Sequence, residues 1–256
     1  MVGALAEPLQ RACTCPALIV PLGLLLVGVV FFRVTEADLV LSRPFYGGAK
    51  EAWPLLHAQP WKGFYCLGCL PGLVLGIGGL ALSLMGSFWS RLRGWRRAGL
   101  FLGTFLLIGP GLLVNLAIKP QWSRPRPHQV TAFGGDREYL AVGRMGDYED
   151  SRSFPSGHAA MGFFLMAPAF LLYPRHRRLA LVFMLLGLGG GAVMGLTRIV
   201  QGRHFASDVL ASAAVVYFTG LLLYFLFRLG ESSKPGEETS PRQETPQSDH
   251  DLAHAA

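Results

Sequence analysis

Apolar runs of about 17–25 residues are long enough to cross a bilayer, and they recur near 16–32, 64–88, 98–118, 157–173, 178–196 and 208–228. That recurrence leaves few folds open. In hydrocarbon each backbone N–H and C=O has to be satisfied within the chain, so such runs become helices. The expected fold is all-α: a polytopic membrane protein built as a bundle of six transmembrane helices. Composition agrees, because 51% of the 256 residues are hydrophobic and 15% charged, whereas a soluble domain carries about 25% charged residues. Pro110, Pro168 and the glycines between Gly187 and Gly191 do not count against this, since membrane helices tolerate both residue types. Arg11 flanks the first run as it would a secretory signal. No small-x-small cleavage site follows in FFRVTEADLV, so the run reads as an uncleaved anchor.

Positive charge orients the bundle. The short loops WSRLRGWRR (89–97) and YPRHRR (173–178) carry Arg91, Arg93, Arg96, Arg97, Arg175, Arg177 and Arg178, which assigns them to the cytoplasm. Segments 33–63, 119–156 and 197–207 then face outward. They hold Arg124, Arg126, Arg137, Arg144, Arg152, Arg198 and Arg203, against the usual bias, so these arginines need another reason to be there.

The membrane domain is expected over 1–230. Residues 231–256 are rich in Ser, Pro, Gln and Glu and read as a disordered acidic tail on the cytoplasmic side. The tail holds six acidic and two basic residues, so the preceding 230 carry about +11 of the chain's net +7. Such a balance often signals nucleic acid. Here the charges sit in short loops between spans, which favours an anionic headgroup and excludes nucleic acid as the expected partner. Cys66 and Cys69 form a CxxC inside an apolar run with no second pair, and they read, like Cys13 and Cys15, as small packing residues. Phe45, Tyr46, Trp53 and Trp61 read as interfacial anchors of an outer loop lying along the membrane.

Three polar clusters close the outer ends of spans: Lys119 to Pro127, SFPSGH (153–158) and TRIVQGRHFASD (197–208). Taken singly, Lys119 and Arg198 could be snorkelling end residues and Pro155 a helix starter. Together they make a site. Ser156 and Gly157 at a helix start offer backbone N–H groups to an anion. Lys119, Arg126 and Arg198 add fixed positive charge, and Arg grips phosphate oxygens through two parallel bonds. His204 and Asp208, four apart, share a helix face, so the carboxylate can hold one imidazole nitrogen while the other attacks. His158 supplies a second imidazole to protonate a leaving oxygen. These are the parts of a phosphoryl-transfer site.

KPQWSRPRP, PSGH and TRIVQGRHFASD, in that order, resemble the signature of the type-2 phosphatidic acid phosphatase superfamily: K-x6-RP, PSGH, then Arg, five residues, His, three residues, Asp. The likeness covers about 64–228, and its one departure is Thr197, where the family usually has Ser. The resemblance implies that His204 forms a phosphohistidine, oriented by Asp208, and that His158 is the general acid. It further implies that Lys119, Arg126, Arg198 and the amides at Ser156 and Gly157 hold the phosphate, with no metal and no cofactor. The signature does not fix Arg124 or Arg203. Two working imidazoles should give a bell-shaped pH profile, with limbs near the ordinary His pKa of about 6.5 unless the arginines shift them.

The substrate expected from a site at the outer, periplasmic boundary is a phosphorylated membrane lipid, hydrolysed at a monoester or diphosphate by an enzyme of the bacterial inner membrane. RPRPHQVTAFGG (124–135) also resembles the lipid A phosphatases of the superfamily, which makes lipid A the first expectation. The same chemistry serves undecaprenyl diphosphate, phosphatidylglycerophosphate, phosphatidic acid or a lipid phosphotransferase. A catalytically inactive scaffold is the reading from a different class, and it gives no reason for His158, His204 and Asp208.

Overall fold

The computed structural model describes residues 16–230. The tail 231–256 and the cysteines Cys13 and Cys15 lie outside the described residues. Between those limits the chain is helical, with no strand among the described residues beyond an isolated bridge pairing Val130 with Arg137. In chain order the helices are α1 (Pro16–Val34), α2 (Ala37–Ser42), α3 (Trp61–Leu67), α4 (Leu70–Phe88) and α5 (Arg96–Leu106). Helix α5 runs on through a π-helical segment, Leu107–Ile118, into α6 (Lys119–Trp122). Then come α7 (Gly157–Phe163), α8 (Ala167–Leu172), α9 (Arg177–Val200) and α10 (Ala206–Leu226).

Among the described residues five helical stretches are long and apolar enough to cross a membrane: Pro16–Val34, Trp61–Phe88, Ser90–Gln129, Arg177–Val200 and Ala206–Leu226. A sixth, Gly157–Leu172, is apolar but shorter. A 3-10 turn, Phe164–Met166, breaks it just before Pro168, whose ring cannot continue an α-helical bond pattern.

The helices pack through glycine. In hydrocarbon no hydrophobic drive holds apolar helices together, so close backbone approach and van der Waals contact take over. Helices α4 and α5 pair in this way: a Cβ on Gly99 would lie 2.3 Å from the Gly79 carbonyl oxygen, and one on Gly79 would lie 2.7 Å from Cβ of Leu102. Helix α9 lays a glycine stripe against α7 and the turn after it, with Gly187 on the Met166 backbone and Gly191 on the Phe163 ring. Large side chains fill the centre, where Phe101, Phe105, Phe164, Met166 and Val216 are fully buried. Helix α1 has no buried residue and is peripheral; the Tyr217 hydroxyl donates to its Ala17 carbonyl over 2.7 Å.

A second, smaller core closes the end of the bundle where the polar clusters meet. Trp53, Val130, Phe133 and Phe205 form it, with Leu39, Phe45, Tyr46 and Tyr139 packed around them. The expectation of Phe45, Tyr46 and Trp53 as membrane-surface anchors is therefore corrected: Trp53 is 8% exposed, packed edge-to-face against Phe133 at 5.6 Å. Gly202, at φ +64°, lies under its ring, where a Cβ would be 2.2 Å from the indole. The FGG stretch serves this core too, through the Phe133 ring and the turn at Gly134, φ +80°. Aromatic residues in a polar loop satisfy either role by composition; contact with chain far away in sequence decided this one.

The glycine stripe gives a paired prediction. Gly187→Ala places a methyl group 2.4 Å from the Met166 nitrogen, an overpacking that costs about 1–3 kcal/mol and lowers the thermal midpoint in detergent. Gly189 has nothing within 4 Å of its Cβ position, so Gly189→Ala leaves the midpoint unchanged or raises it, Ala being the better helix former.

Candidate active site

The three polar clusters converge on the start of α10. Asp208, fully buried, sits in its first turn, where a carboxylate faces otherwise unpaired N–H groups and the positive helix end. Its Oδ2 accepts from the Phe205 amide at 2.8 Å and from the Ser153 hydroxyl at 2.6 Å. Its Oδ1 accepts from Arg124 at 2.5 Å. The His204 Nδ1 lies 3.6 Å from Oδ2, too long for a hydrogen bond, and is buried without a partner. Resting sites commonly hold such pairs loose and tighten them once substrate is bound.

Arg124 was left without a role by the sequence, and it proves to be among the largest side chains buried outright. Its guanidinium bridges Asp208 and Asp38, the latter at 2.8 Å. It also donates to the Ser207 hydroxyl at 2.8 Å and the Leu140 carbonyl at 2.9 Å, and lies 4.7 Å above the Phe205 ring. Asp38 in turn accepts from the Ser207 amide (2.9 Å), the Ser207 hydroxyl (2.5 Å) and the Tyr139 hydroxyl (3.2 Å). None of Asp38, Ser153 or Ser207 was singled out in the sequence. Asp38 carried one faint signal, an acid set among Ala37, Leu39, Val40 and Leu41.

Around the two imidazoles stand the expected cations. Lys119, Arg126 and Arg198 all act electrostatically on His158, and Lys119 and Arg198 on His204. The Nε atoms of Arg126 and Arg198 are buried with no hydrogen-bond partner. Arg198 gives one terminal nitrogen to Gln201 at 2.7 Å, and Gln201 is itself tied to the Leu56 carbonyl at 3.1 Å. Tyr65 is a further residue unnoticed in the sequence. His158 stacks on its ring at 4.9 Å and Arg198 lies over the same ring at 4.6 Å.

The PSGH turn differs from expectation in one respect. The Ser156 amide donates to the Asp208 carbonyl at 3.3 Å, and its hydroxyl accepts from the Ala159 amide, 3.4 Å away, capping α7. Both groups of Ser156 are thus engaged within the protein. Gly157 makes room for a neighbour: a Cβ there would meet the Asn115 Oδ1 at 2.6 Å, and that side chain would have to shift. Asn115 belongs to the π-helical segment, where its amide nitrogen donates to the Pro110 carbonyl at 2.7 Å. Wide helical turns of this kind recur at functional sites.

Burial pushes the His204 imidazole down to about 3, with Lys119 and Arg198 adding to the shift and Asp208 opposing it. The ring is therefore neutral near pH 7. Among the described residues no group of three or more His, Cys, Asp or Glu side chains comes together as metal ligands.

An all-helical bundle with paired histidines and a cationic cluster at one end narrows the class of protein sharply. A profile of the PAP2 superfamily matches residues 98–230, more than half of the chain, and the chain belongs to that superfamily. It is 39% identical over 133 residues to the lipid A 4'-phosphatase of Francisella tularensis subsp. novicida (strain U112), covering 52% of this chain and 59% of that one. To the lipid A 4'-phosphatase of Rhizobium leguminosarum it is 37% identical over 124 residues, 47% of this chain and 52% of the relative. The lipid A 1-phosphatase of Rhizobium johnstonii (strain DSM 114642 / LMG 32736 / 3841) is 34% identical over 134 residues, 52% of this chain and 48% of the relative. The chain thus spans about half the length of the curated relatives it matches. Among solved structures, the transmembrane PAP2-type phosphatidylglycerolphosphate phosphatase of Bacillus subtilis is similar at 21% identity and a TM-score of 0.46, over 84% of this chain and 96% of that one.

The protonation state of His204 is open to direct observation. An unperturbed His titrates near 6.5; with its pKa lowered to about 3, His204 stays neutral as the pH falls through 6.5. In detergent micelles its 15N imidazole resonances, assigned by their loss in His204→Ala, show no titration between pH 8 and 5. This replaces the expected acidic limb near 6.5, because the ring is buried.

Proposed function

We propose that the chain is a lipid phosphatase of the bacterial inner membrane, with lipid A as its substrate and its site on the periplasmic side. The observation that carries the reading is the set of buried cationic donors without a partner, Arg126 Nε and Arg198 Nε, gathered with Lys119 about two imidazoles. The nearby carboxylate, Asp208, is already engaged by Arg124 and Ser153. A phosphate bearing two negative charges supplies the missing acceptors. The names of the relatives support lipid A among phosphorylated lipids. The six-span topology takes Gly157–Leu172 as the sixth crossing, with the Arg-rich loops 89–97 and 173–178 on the side opposite the site.

In this mechanism Lys119, Arg126, Arg198 and the Gly157 amide hold the phosphate oxygens. Positive groups fixed where charge spreads in the transition state lower the barrier without reorganising. The Nε2 lone pair of His204 attacks phosphorus, and the bond from phosphorus to the lipid oxygen breaks with its electron pair moving to oxygen. His158 gives that oxygen a proton, so the dephosphorylated lipid leaves as an alcohol. His204, now phosphorylated and cationic, shares its Nδ1 proton with Asp208. Water then attacks phosphorus, its proton passes to His158, and the N–P electron pair returns to His204 as phosphate departs.

Detergent-solubilised protein offered lipid A, undecaprenyl diphosphate and phosphatidylglycerophosphate side by side releases phosphate fastest from lipid A, with and without chelator. His204→Ala lowers that release by at least about 10³-fold, the scale of losing a catalytic nucleophile. Undiminished release from the variant ends the phosphohistidine reading. A faster rate on either other lipid moves the substrate and leaves the chemistry standing.

A further inference from the structure

We propose that Asp38 is a positioning residue of this site, acting through Arg124 to keep Asp208 able to stabilise a phosphorylated His204. The inference rests on the phosphohistidine reading above, and it reaches outside the residues the superfamily profile covers, since that match begins at 98.

Asp38, Arg124 and Asp208 are all completely buried. Guanidinium has five N–H donors, and four are used here: one on Asp38, one on Asp208, one on Ser207 and one on Leu140. The outcome is one cation held between two carboxylates, a trio of net charge −1. Paired with Arg124 alone, Asp208 would belong to a neutral couple, with little left to offer an imidazolium beside it. With Asp38 taking up part of the guanidinium charge, the trio keeps a full negative charge next to His204.

That charge matters at one moment. His204 is neutral at rest, and becomes cationic when its Nε2 bonds to phosphorus. Substrate binding itself uses Lys119, Arg126 and Arg198, none of which touches Asp38. A compensating carboxylate therefore acts on the chemical step and leaves binding alone. Geometry reinforces this, because Asp38 accepts both the amide and the hydroxyl of Ser207, and so also holds the first turn of α10 on which Asp208 stands.

The test is Asp38→Asn, which keeps the shape and removes the charge, measured alongside wild type and His204→Ala. Phosphohistidine formation is followed in single turnovers on lipid A by quenching in alkali, where the N–P bond survives. The expected result is a fall of about 10–100-fold, the range for removing a partner one step behind a reacting group. KM and the inhibition constant of inorganic phosphate stay within about two-fold. Wild-type formation in Asp38→Asn, with His204→Ala inactive, overturns the role of Asp38 and leaves the phosphatase reading intact. Turnover in His204→Ala at the wild-type rate overturns that reading instead. A parallel loss of phosphate affinity, KM and thermal midpoint makes Asp38 a structural residue only, and also overturns the proposal. If Asp38→Asn does not fold, Ser207→Ala reads the same link. It removes the hydroxyl that Arg124 and Asp38 share, and a several-fold loss confined to the chemical step is expected, whereas no loss counts against it.

Discussion

One arginine held between two carboxylates, away from all water, is the contact on which this end of the molecule depends. Isolated buried charge is among the least tolerable things a fold can contain, and it persists only when paired and hydrogen-bonded. Arg124 meets that condition with two partners far apart in the chain, Asp38 and Asp208. The same knot fixes Ser153 just ahead of the PSGH turn, through its hydroxyl on Asp208 and its amide on the Arg124 carbonyl. Four separate stretches of chain are thereby brought to one point, and His204 stands beside it.

Charge around that point is layered. A net negative trio lies buried behind His204, while Lys119, Arg126 and Arg198 gather in front. The arrangement suits the proposed chemistry, in which a dianion becomes bound to an imidazole: the front layer would receive the phosphate oxygens and the back layer would face the cation that forms. It also accounts for much of the positive charge that seemed misplaced on the outer side of the bundle. Arg124 belongs to the back layer and Arg126 and Arg198 to the front, while Arg137 pairs with Asp150 and Ser151 in the loop above.

The spans could be read from sequence because a bilayer sets their length, and the helices begin and end within a few residues of the apolar runs. His158, His204, Asp208, Lys119, Arg126 and Arg198 were legible because short covalent spacings hold each group together. Asp38 was not: it owes its role to Arg124, 86 residues away, and no local spacing records such a pairing. Ser156 was half-read. Its place at a helix start was evident, but the use of its amide depended on where the Asp208 carbonyl came to rest. Trp53 was misread as an anchor, since aromatic content alone does not say what a ring will pack against.

The knot also has a direction in time. A ribosome delivers Asp38 first, Arg124 later, and Asp208 with α10. Until α10 enters, Asp38 and Arg124 have each other but the pair lacks the Ser207 amide and hydroxyl that complete it. Helix α10 therefore brings Asp208 and the hydroxyl that locks the buried charges. A chain interrupted before α10 lacks Asp208 and Ser207, the partners that make its buried arginine tolerable.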